Sequence, residues 1–328
     1  MTIRAFFRST LLLGALTASC LAAGPAQAAY PEQPITMVVN FSAGGPLDQL
    51  ARVLGKEAHK ELGQIVVVEA KPGATGTIGA EYVSRAKPDG YTLLLSVDTV
   101  ATVTPFAYKG STFDANKSLE PVALAGALNQ VLVVRKDLGV KNLKDFLDLT
   151  KKRDIAYASA GIGSPGHLTM EAFRLGSHSK LTHVPYKGNA PATNDLLGGQ
   201  VDAAFVVIGG VLPHIKAGKL VPLAVSSKEP DPFLPDTPTV ASSGIPGLEN
   251  FNYQFYNVIM APKGTPENIK KIWSDFIAKA FTIPEVREKF EALGQLTIAG
   301  TPEQARAYLA TEAAARRKVI EKAGIAVN

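Results

Sequence analysis

The sequence predicts an α/β fold built as two lobes, each a mainly parallel sheet flanked by helices. Three observations carry this. Short β-branched or leucine-rich runs alternate with stretches of helical periodicity, the alternation starts again after residue 130, and 328 residues exceed the ~150 of a typical domain. With 46% hydrophobic and 19% charged residues, the chain supports a large core and is neither disordered nor fibrous.

Residues 1–28 read as a secretory signal. Arg4 and Arg8 precede an apolar run from Leu11 to Ala23, and Ala26-Gln27-Ala28 is a small-x-small cleavage pattern. The run is shorter than the ~20 residues needed to cross a hydrocarbon core, so export with cleavage near Ala29 is expected rather than anchoring. The single cysteine, Cys20, lies in this segment, so no disulfide or cysteine metal ligand is expected in the mature chain. A lipid-bearing signal ending at Cys20 would want an apolar side chain where Thr17 stands. Cleavage removes two arginines and no acid, which lowers the formal charge of +5 by two.

The elements follow in order. Residues 35–41, 64–70 and 91–97 have the composition of strands buried on both faces. Leu47, Leu50, Ala51, Leu54, Ala58 and Leu62 keep helical spacing and Gly63 supplies a stop, which predicts a helix over 46–62. The second series comprises strands at 131–136, 155–160, 181–186 and 201–207, with helices over 166–175 and 190–197. Residues 220–226 add a strand, and a Pro-rich stretch over 230–246 wraps the surface. Residues 253–260 form a strand that returns to the first lobe, and the remainder reads as helical. Thr265-Pro266-Glu267 and Thr301-Pro302-Glu303-Gln304 are helix starts, the second a capping box. Lobe one is thus expected to comprise 29–129 plus 253–328 and lobe two 130–252. The crossings near 131–136 and 253–260 would form a hinge with the ligand between the lobes.

Candidate chemistry narrows quickly. Basic residues are scattered among acids, and the triplets Lys151-Lys152-Arg153 and Arg316-Arg317-Lys318 read as solvated helix faces, so no nucleic-acid partner is expected. Residues 161–166 spell G-x-G-x-x-G between strand and helix. The next strand ends His183-Val184-Pro185-Tyr186-Lys187-Gly188 without the acid that a dinucleotide ribose needs, so no cofactor is expected. Ser159 and Ser164 lack the flanking glycines of a nucleophile elbow. His59, His167, His178, His183 and His214 show neither zincin spacing nor an acidic cluster, so no metal site is expected. An exported enzyme using Asp48, His167 or Ser164 is the competing reading.

Two glycine-rich strand-to-helix turns stand out, Phe41-Ser42-Ala43-Gly44-Gly45 in lobe one and Ser159-Ala160-Gly161-Ile162-Gly163-Ser164 in lobe two. Small residues let backbone N–H groups converge at a helix start, where the macrodipole favours an anion. One such loop is explained by a tight turn alone, whereas two in equivalent places point to a carboxylate held between them. Asp48 and Arg52, at i and i+4, read as a helix-face salt bridge, with Asp48 also placed to brace the glycine loop.

At these residues the chain resembles the solute-binding receptors of tripartite tricarboxylate transporters, the Bug receptors. The resemblance spans nearly the whole mature chain. It includes Tyr30-Pro31, Phe41 with Gly44-Gly45 and Asp48, Lys71-Pro72-Gly73-Ala74, Pro88-Asp89-Gly90-Tyr91, Gly161 to Leu168, and His183 to Gly188. Farther on it takes in Leu197-Gly198-Gly199-Gln200, Pro213 to Leu220, Leu234-Pro235-Asp236 and Gly264-Thr265-Pro266. The resemblance implies a periplasmic, non-enzymatic, monomeric binding protein of the Venus-flytrap, type II-like fold. Such a protein closes on a small organic carboxylate and presents it to membrane transporter subunits, or to a signalling partner instead. It implies a first-lobe site at Phe41, Ser42, Ala43, Gly44, Gly45 and Asp48, with Ser96, Asp98 and Thr99 beside it. The implied second-lobe site is Ser159, Gly161, Gly163, Ser164 and His167, with Lys187, Gly188 and Asn189.

Departures from the family pattern bear on the ligand. Ala43 stands for a usual Pro, Leu47 for a small hydroxyl residue, Pro230 for an Arg and Tyr256 for a Trp. Val206-Val207 replaces a common Asp-Asn, so a ligand ammonium at Val207 would be buried without a partner.

Overall fold

Strand β1 (Ile35–Val39) buries Ile35, Met37, Val38 and Val39 completely and feeds a helix that its own sequence starts and stops. That helix, α1 (Pro46–Leu62), opens on a proline whose missing N–H would have no intrahelical partner, and carries Asp48 in its first turn. Gly63 ends it at φ 73°, its N–H 3.0 Å from the His59 carbonyl. Leu50, Ala51, Leu54 and Ala58 form the buried stripe, and Gly55 packs on Val66. The computed structural model describes residues 30–108, 110 and 112–327, so the expected signal segment and Cys20 lie outside the described residues.

Strands β2 (Val66–Ala70) and β3 (Thr92–Val97) pair in parallel with the two edges of β1, placing Val68 and Leu93 opposite Met37. Helix α2 (Thr77–Ser84) lies between them in the chain. Strand β4 (Leu119–Leu128) completes the first pass through this sheet. A single residue, Asn129, separates it from β5 (Gln130–Arg135), the first strand of the second sheet.

The second sheet continues with α3 (Leu143–Thr150), β6 (Ile155–Ser159), α4 (Pro165–Ser177), β7 (Leu181–Pro185) and α5 (Asn189–Leu197). It ends with β8 (Ala203–Val207), α6 (Ile208–Lys216) and β9 (Leu220–Val225). Strand order is β7-β6-β8-β5-β9, with β6 parallel to both β7 and β8 and β5 antiparallel to its two neighbours.

The chain then returns as β10 (Phe255–Pro262), which runs antiparallel between β3 and β4. Helices α7 (Glu267–Ala280) and α8 (Pro284–Ala292), strand β11 (Gln295–Gly300) and helix α9 (Pro302–Ala323) complete the described chain. The first sheet reads β11-β4-β10-β3-β1-β2.

Two lobes result, each with its own sheet. The second sheet is covered on both faces, by Phe146, Tyr157, Phe173 and Phe205 on one and by Val131, Leu196, Val206 and Val211 on the other. A third cluster joins Val103, Ala107, Phe255 and Ile320, from the part of the chain built on the first sheet, to Leu168 of α4, with Val207 packed on it. Behind it, backbone meets backbone: a Cβ on Gly209 would lie 2.2 Å from the Leu293 carbonyl oxygen.

Several expectations are corrected. Residues 119–128, which carry no strand signal in the sequence, and 295–300, which read as helical, are both strands of the first sheet. Thr265 does not cap α7, because its hydroxyl donates to the Pro262 carbonyl at 2.7 Å and Pro266 takes the cap position. Arg316 is fully buried rather than on a solvated face. The capping box of α9 is present, with Gln304 N–H 3.2 Å from Thr301 Oγ1 and Thr301 N–H 2.8 Å from Gln304 Oε1.

Candidate ligand-binding site

The glycine turns occupy equivalent places in the two sheets. Residues 41–45 follow the carboxyl end of β1, residues 160–164 that of β6, residues 186–189 that of β7, and Val207 ends β8. Open α/β sheets bind ligands in the crevice outside such carboxyl ends.

In lobe one, Ser42, Ala43 and Gly44 are exposed and Phe41 and Gly45 are half-buried. The left-handed conformation falls on Gly44, at φ 77°, while the Gly45 N–H turns back to the Ser42 carbonyl at 3.2 Å. Gly45 serves as the N-cap of α1 with no side-chain cap, leaving that helix start to backbone donors.

Asp48 is buried and committed. One oxygen accepts the Gly44 N–H at 3.1 Å and Arg52 Nε at 2.9 Å, the other Arg52 Nη2 at 3.1 Å. The Arg52 hydrogen bonds hold its carboxyl below the usual range. Asp48 thus braces the glycine turn through the Gly44 N–H.

Ser96, Asp98 and Thr99 are likewise turned inward, each at most 1% exposed. Ser96 Oγ accepts from Asn40 Nδ2 at 2.9 Å and donates to the Val97 carbonyl at 2.8 Å. Asp98 accepts from Arg316 Nη1 and Nη2 at 2.9 and 3.1 Å, from the Tyr256 N–H at 3.2 Å, and from the Tyr308 hydroxyl. Its two oxygens are committed to these four donors. Asn40 was missed by sequence reasoning. It ties the turn region together through Nδ2, which also donates to the Gly76 carbonyl at 3.0 Å.

In lobe two, Gly161 and Gly163 take φ 129° and 77°, and the turn hangs from two imidazoles. The Gly163 N–H donates to His167 Nδ1 at 3.1 Å. The Gly161 N–H donates to Ser159 Oγ at 3.1 Å, and that hydroxyl lies 2.6 Å from His183 Nε2. The two rings stack 3.8 Å apart at 8°. Burial lowers His167 to about 4, and burial together with its stacked partner lowers His183 to about 4, so both are neutral near pH 7. Ser164 caps α4 by accepting the His167 N–H at 3.4 Å. Gly163, Ser164 and His167 therefore shape and cap the turn, and their N–H groups are not free for an anion.

Residues 187–189 are placed differently. Lys187 and Asn189 are exposed, and the Lys187 ammonium makes no ion pair among the described residues. The Gly188 N–H, at φ 114°, donates to the Ala160 carbonyl at 3.2 Å and joins the two second-lobe turns. Gly188 opens α5 with no side-chain cap. The lobes approach at this level, since a Cβ on Gly163 would lie 3.6 Å from Val103 Cγ1. Val207 packs on the cluster containing Val103 and Leu168, whereas Val206 points into the lobe-two core and away from the cleft.

The chemistry available is anion recognition by backbone donors beside an apolar wall. The Ser159–His183 contact does not build a hydrolytic triad, because the nearest buried acid, Glu171, is taken by the Tyr157 hydroxyl at 2.6 Å and by Arg174 at 2.7 Å. Among the described residues no cluster of His, Cys, Asp and Glu fits a metal ion, and no helix is long and apolar enough to cross a membrane.

Comparison with known proteins settles the lineage. The model of the tripartite tricarboxylate transporter family receptor, TctC, matches residues 50–325. The chain belongs to this receptor family. BugT of Bordetella pertussis is 35% identical over 321 residues, covering 97% of this chain and 98% of BugT. The periplasmic binding protein BugD superposes with a TM-score of 0.79 at 36% identity, over 90% of this chain and 99% of BugD. The R. palustris protein Rpa4515 with adipate superposes at 0.83 and 29% identity, over 90% of this chain and 99% of that one. The TctC family consists of solute-binding receptors, and the two-lobe α/β architecture described above is theirs.

Proposed function

We propose that this receptor is exported by cleavage of residues 1–28 and works as a monomer in the periplasm. There it captures a small carboxylate without an ammonium group and delivers it to the membrane subunits of a tripartite transporter. The lobes divide at Asn129 and near Tyr253, and the ligand lies between the turns at 41–45, 160–163 and 187–189.

The observation that carries the reading is that α1 and α5 both begin on glycines without side-chain caps, one in each lobe. Uncapped first-turn N–H groups and the helix dipole attract a carboxylate without a fixed counter-charge. Lys187 adds one unpaired cation at the same end of lobe two. Val207, half-buried and packed on the Val103 and Leu168 cluster, offers hydrocarbon where an amino acid would bring its ammonium, and a desolvated cation there costs several kcal/mol. Rpa4515 was solved with adipate, a carboxylate with an uncharged body.

Calorimetry on the mature protein tests this with succinate, malate, adipate, benzoate, glutamate and aspartate. Binding of at least one of the first four, with neither amino acid bound and the ligand recovered unchanged, is the expected result. Micromolar binding of glutamate or aspartate overturns the ligand class, and chemical conversion of the ligand overturns the non-enzymatic reading.

A further inference from the structure

We propose that His167 and His183 are positioning residues for carboxylate binding, holding the 161–163 turn in its ligand-accepting shape, His167 through an Nδ1 that must stay unprotonated and His183 through its hydrogen bond with Ser159. The proposal rests on the carboxylate reading above and adds to it a proton that competes with the ligand.

Gly163 is buried, so its N–H needs an acceptor, and His167 Nδ1 at 3.1 Å is that acceptor. Accepting at Nδ1 places the ring proton on Nε2. Gly161 depends on the second ring at one remove, its N–H on Ser159 Oγ and that oxygen on His183 Nε2. Because α4 and β7 contribute one ring each, the turn is held from two elements at once.

The groups around the pair oppose a positive charge. His183 stacks on Tyr157 of β6 at 4.9 Å and on His167 at 3.8 Å, so a charge on either imidazole faces the other across van der Waals distance. On α4, Glu171 is, among the described residues, the one acid acting on both rings, and it is engaged by Arg174 and the Tyr157 hydroxyl. Arg174 adds its own positive charge to the surroundings of His167. Burial, the largest influence on both rings, works in the same direction.

A proton on His167 Nδ1 turns an acceptor into a donor aimed at another donor. The Gly163 N–H loses its partner, and the turn can no longer hold its two left-handed glycines in place. Ligand affinity then falls as the pH approaches about 4, where burial places the His167 ring, by a route separate from protonation of the ligand.

Two substitutions separate positioning from bulk. His167→Leu keeps the volume and removes the acceptor, whereas His167→Gln keeps an acceptor oxygen that does not titrate. With the tightest binder among succinate, malate, adipate and benzoate, the expected result at pH 7.5 is a dissociation constant raised about tenfold or more by His167→Leu. His167→Gln should recover most of that loss. Between pH 7 and pH 4, wild-type affinity should fall by more than that of His167→Gln, the ligand's own titration being common to both. A leucine variant that binds as tightly as the wild type, or identical pH profiles for wild type and His167→Gln, overturns the proposal.

If the wild type binds none of the four acids, the carboxylate reading fails and the ligand-free protein decides the positioning role by nuclear magnetic resonance. The same measurement decides it if the leucine variant does not fold. The Gly163 amide resonance should follow the titration of the His167 ring, and an amide indifferent to it overturns the proposal.

Discussion

Arg316 ties the last helix to the first-lobe core. Its guanidinium lies fully buried over the Phe255 ring at 4.2 Å, paired with Asp98 and donating to the Gln254 carbonyl at 3.1 Å and to Thr102 Oγ1 at 2.6 Å. Removing one partner of a buried pair leaves the other charge uncompensated, so Arg316→Met should destabilise the protein by about 3–5 kcal/mol. Adding Asp98→Asn should return part of that. Denaturant unfolding of the two variants checks it, and a single mutant within 1 kcal/mol of wild type would contradict the assignment. Gly44 is the complementary case, exposed and at φ 77° with open space around a Cβ. Gly44→Val should cost roughly 1–2 kcal/mol in stability from backbone strain alone, yet weaken carboxylate binding at least tenfold by reshaping the first-lobe turn. Normal affinity in the folded variant would remove that turn from the site. At this scale the sequence exposed the glycines and Asp48, because turn residues and an i,i+4 pair leave local signals. It hid Arg316 and Asp98, whose positions are 218 residues apart, since a solvated arginine run and a buried one look alike until tertiary packing separates them.

Elements were legible where periodicity was strong. The stripe and Gly63 stop of α1, the α9 capping box and the β1–β3 runs are all written locally. Strand β4 was not, because its Leu-Glu-Pro-Val-Ala-Leu-Ala-Gly-Ala-Leu composition is as helical as it is extended, and only burial between β10 and β11 makes it a strand. The same limit applied to the candidate site. The turn at 160–164 was evident from its glycines, but stacking of His167 on His183 joins α4 to β7 and follows no sequence period. That pair makes stability depend on pH. Both rings sit near 4 in the folded protein against 6.5 ordinarily, so the unfolded chain binds more protons between those values. The stability the rings confer is whole above about pH 6.5 and is lost as the pH falls toward 4. Thermal melting at pH 7.5 and pH 5 should show a lower Tm at the lower pH, and a smaller drop in a His167→Gln, His183→Gln variant. Asp231 and Glu312, which burial raises, act in the opposite direction in both proteins and cancel in the comparison. Equal drops in the two proteins would mean that the rings are not the titrating groups.

For the whole molecule, the two sheets are joined by Asn129, by the return segment ahead of β10 and by the apolar cluster around Val103, Leu168 and Ile320. Polar contacts bracket the crossings. Asn129 Nδ2 donates to the buried Asp231 at 2.8 Å, its Oδ1 accepts from Gln254 at 2.9 Å, and the Tyr253 N–H donates to the Ser226 carbonyl at 2.8 Å. Gly209 and Gly294 meet backbone to backbone, so closely that a Cβ on either would clash. A ligand that touches turns in both lobes binds the closed arrangement better than the open one and so shifts the population toward it. Small-angle X-ray scattering of the mature protein, with and without a saturating amount of its tightest-binding carboxylate, tests this most directly. A smaller radius of gyration with ligand is the predicted result, and an unchanged radius at proven saturation would contradict capture between the lobes.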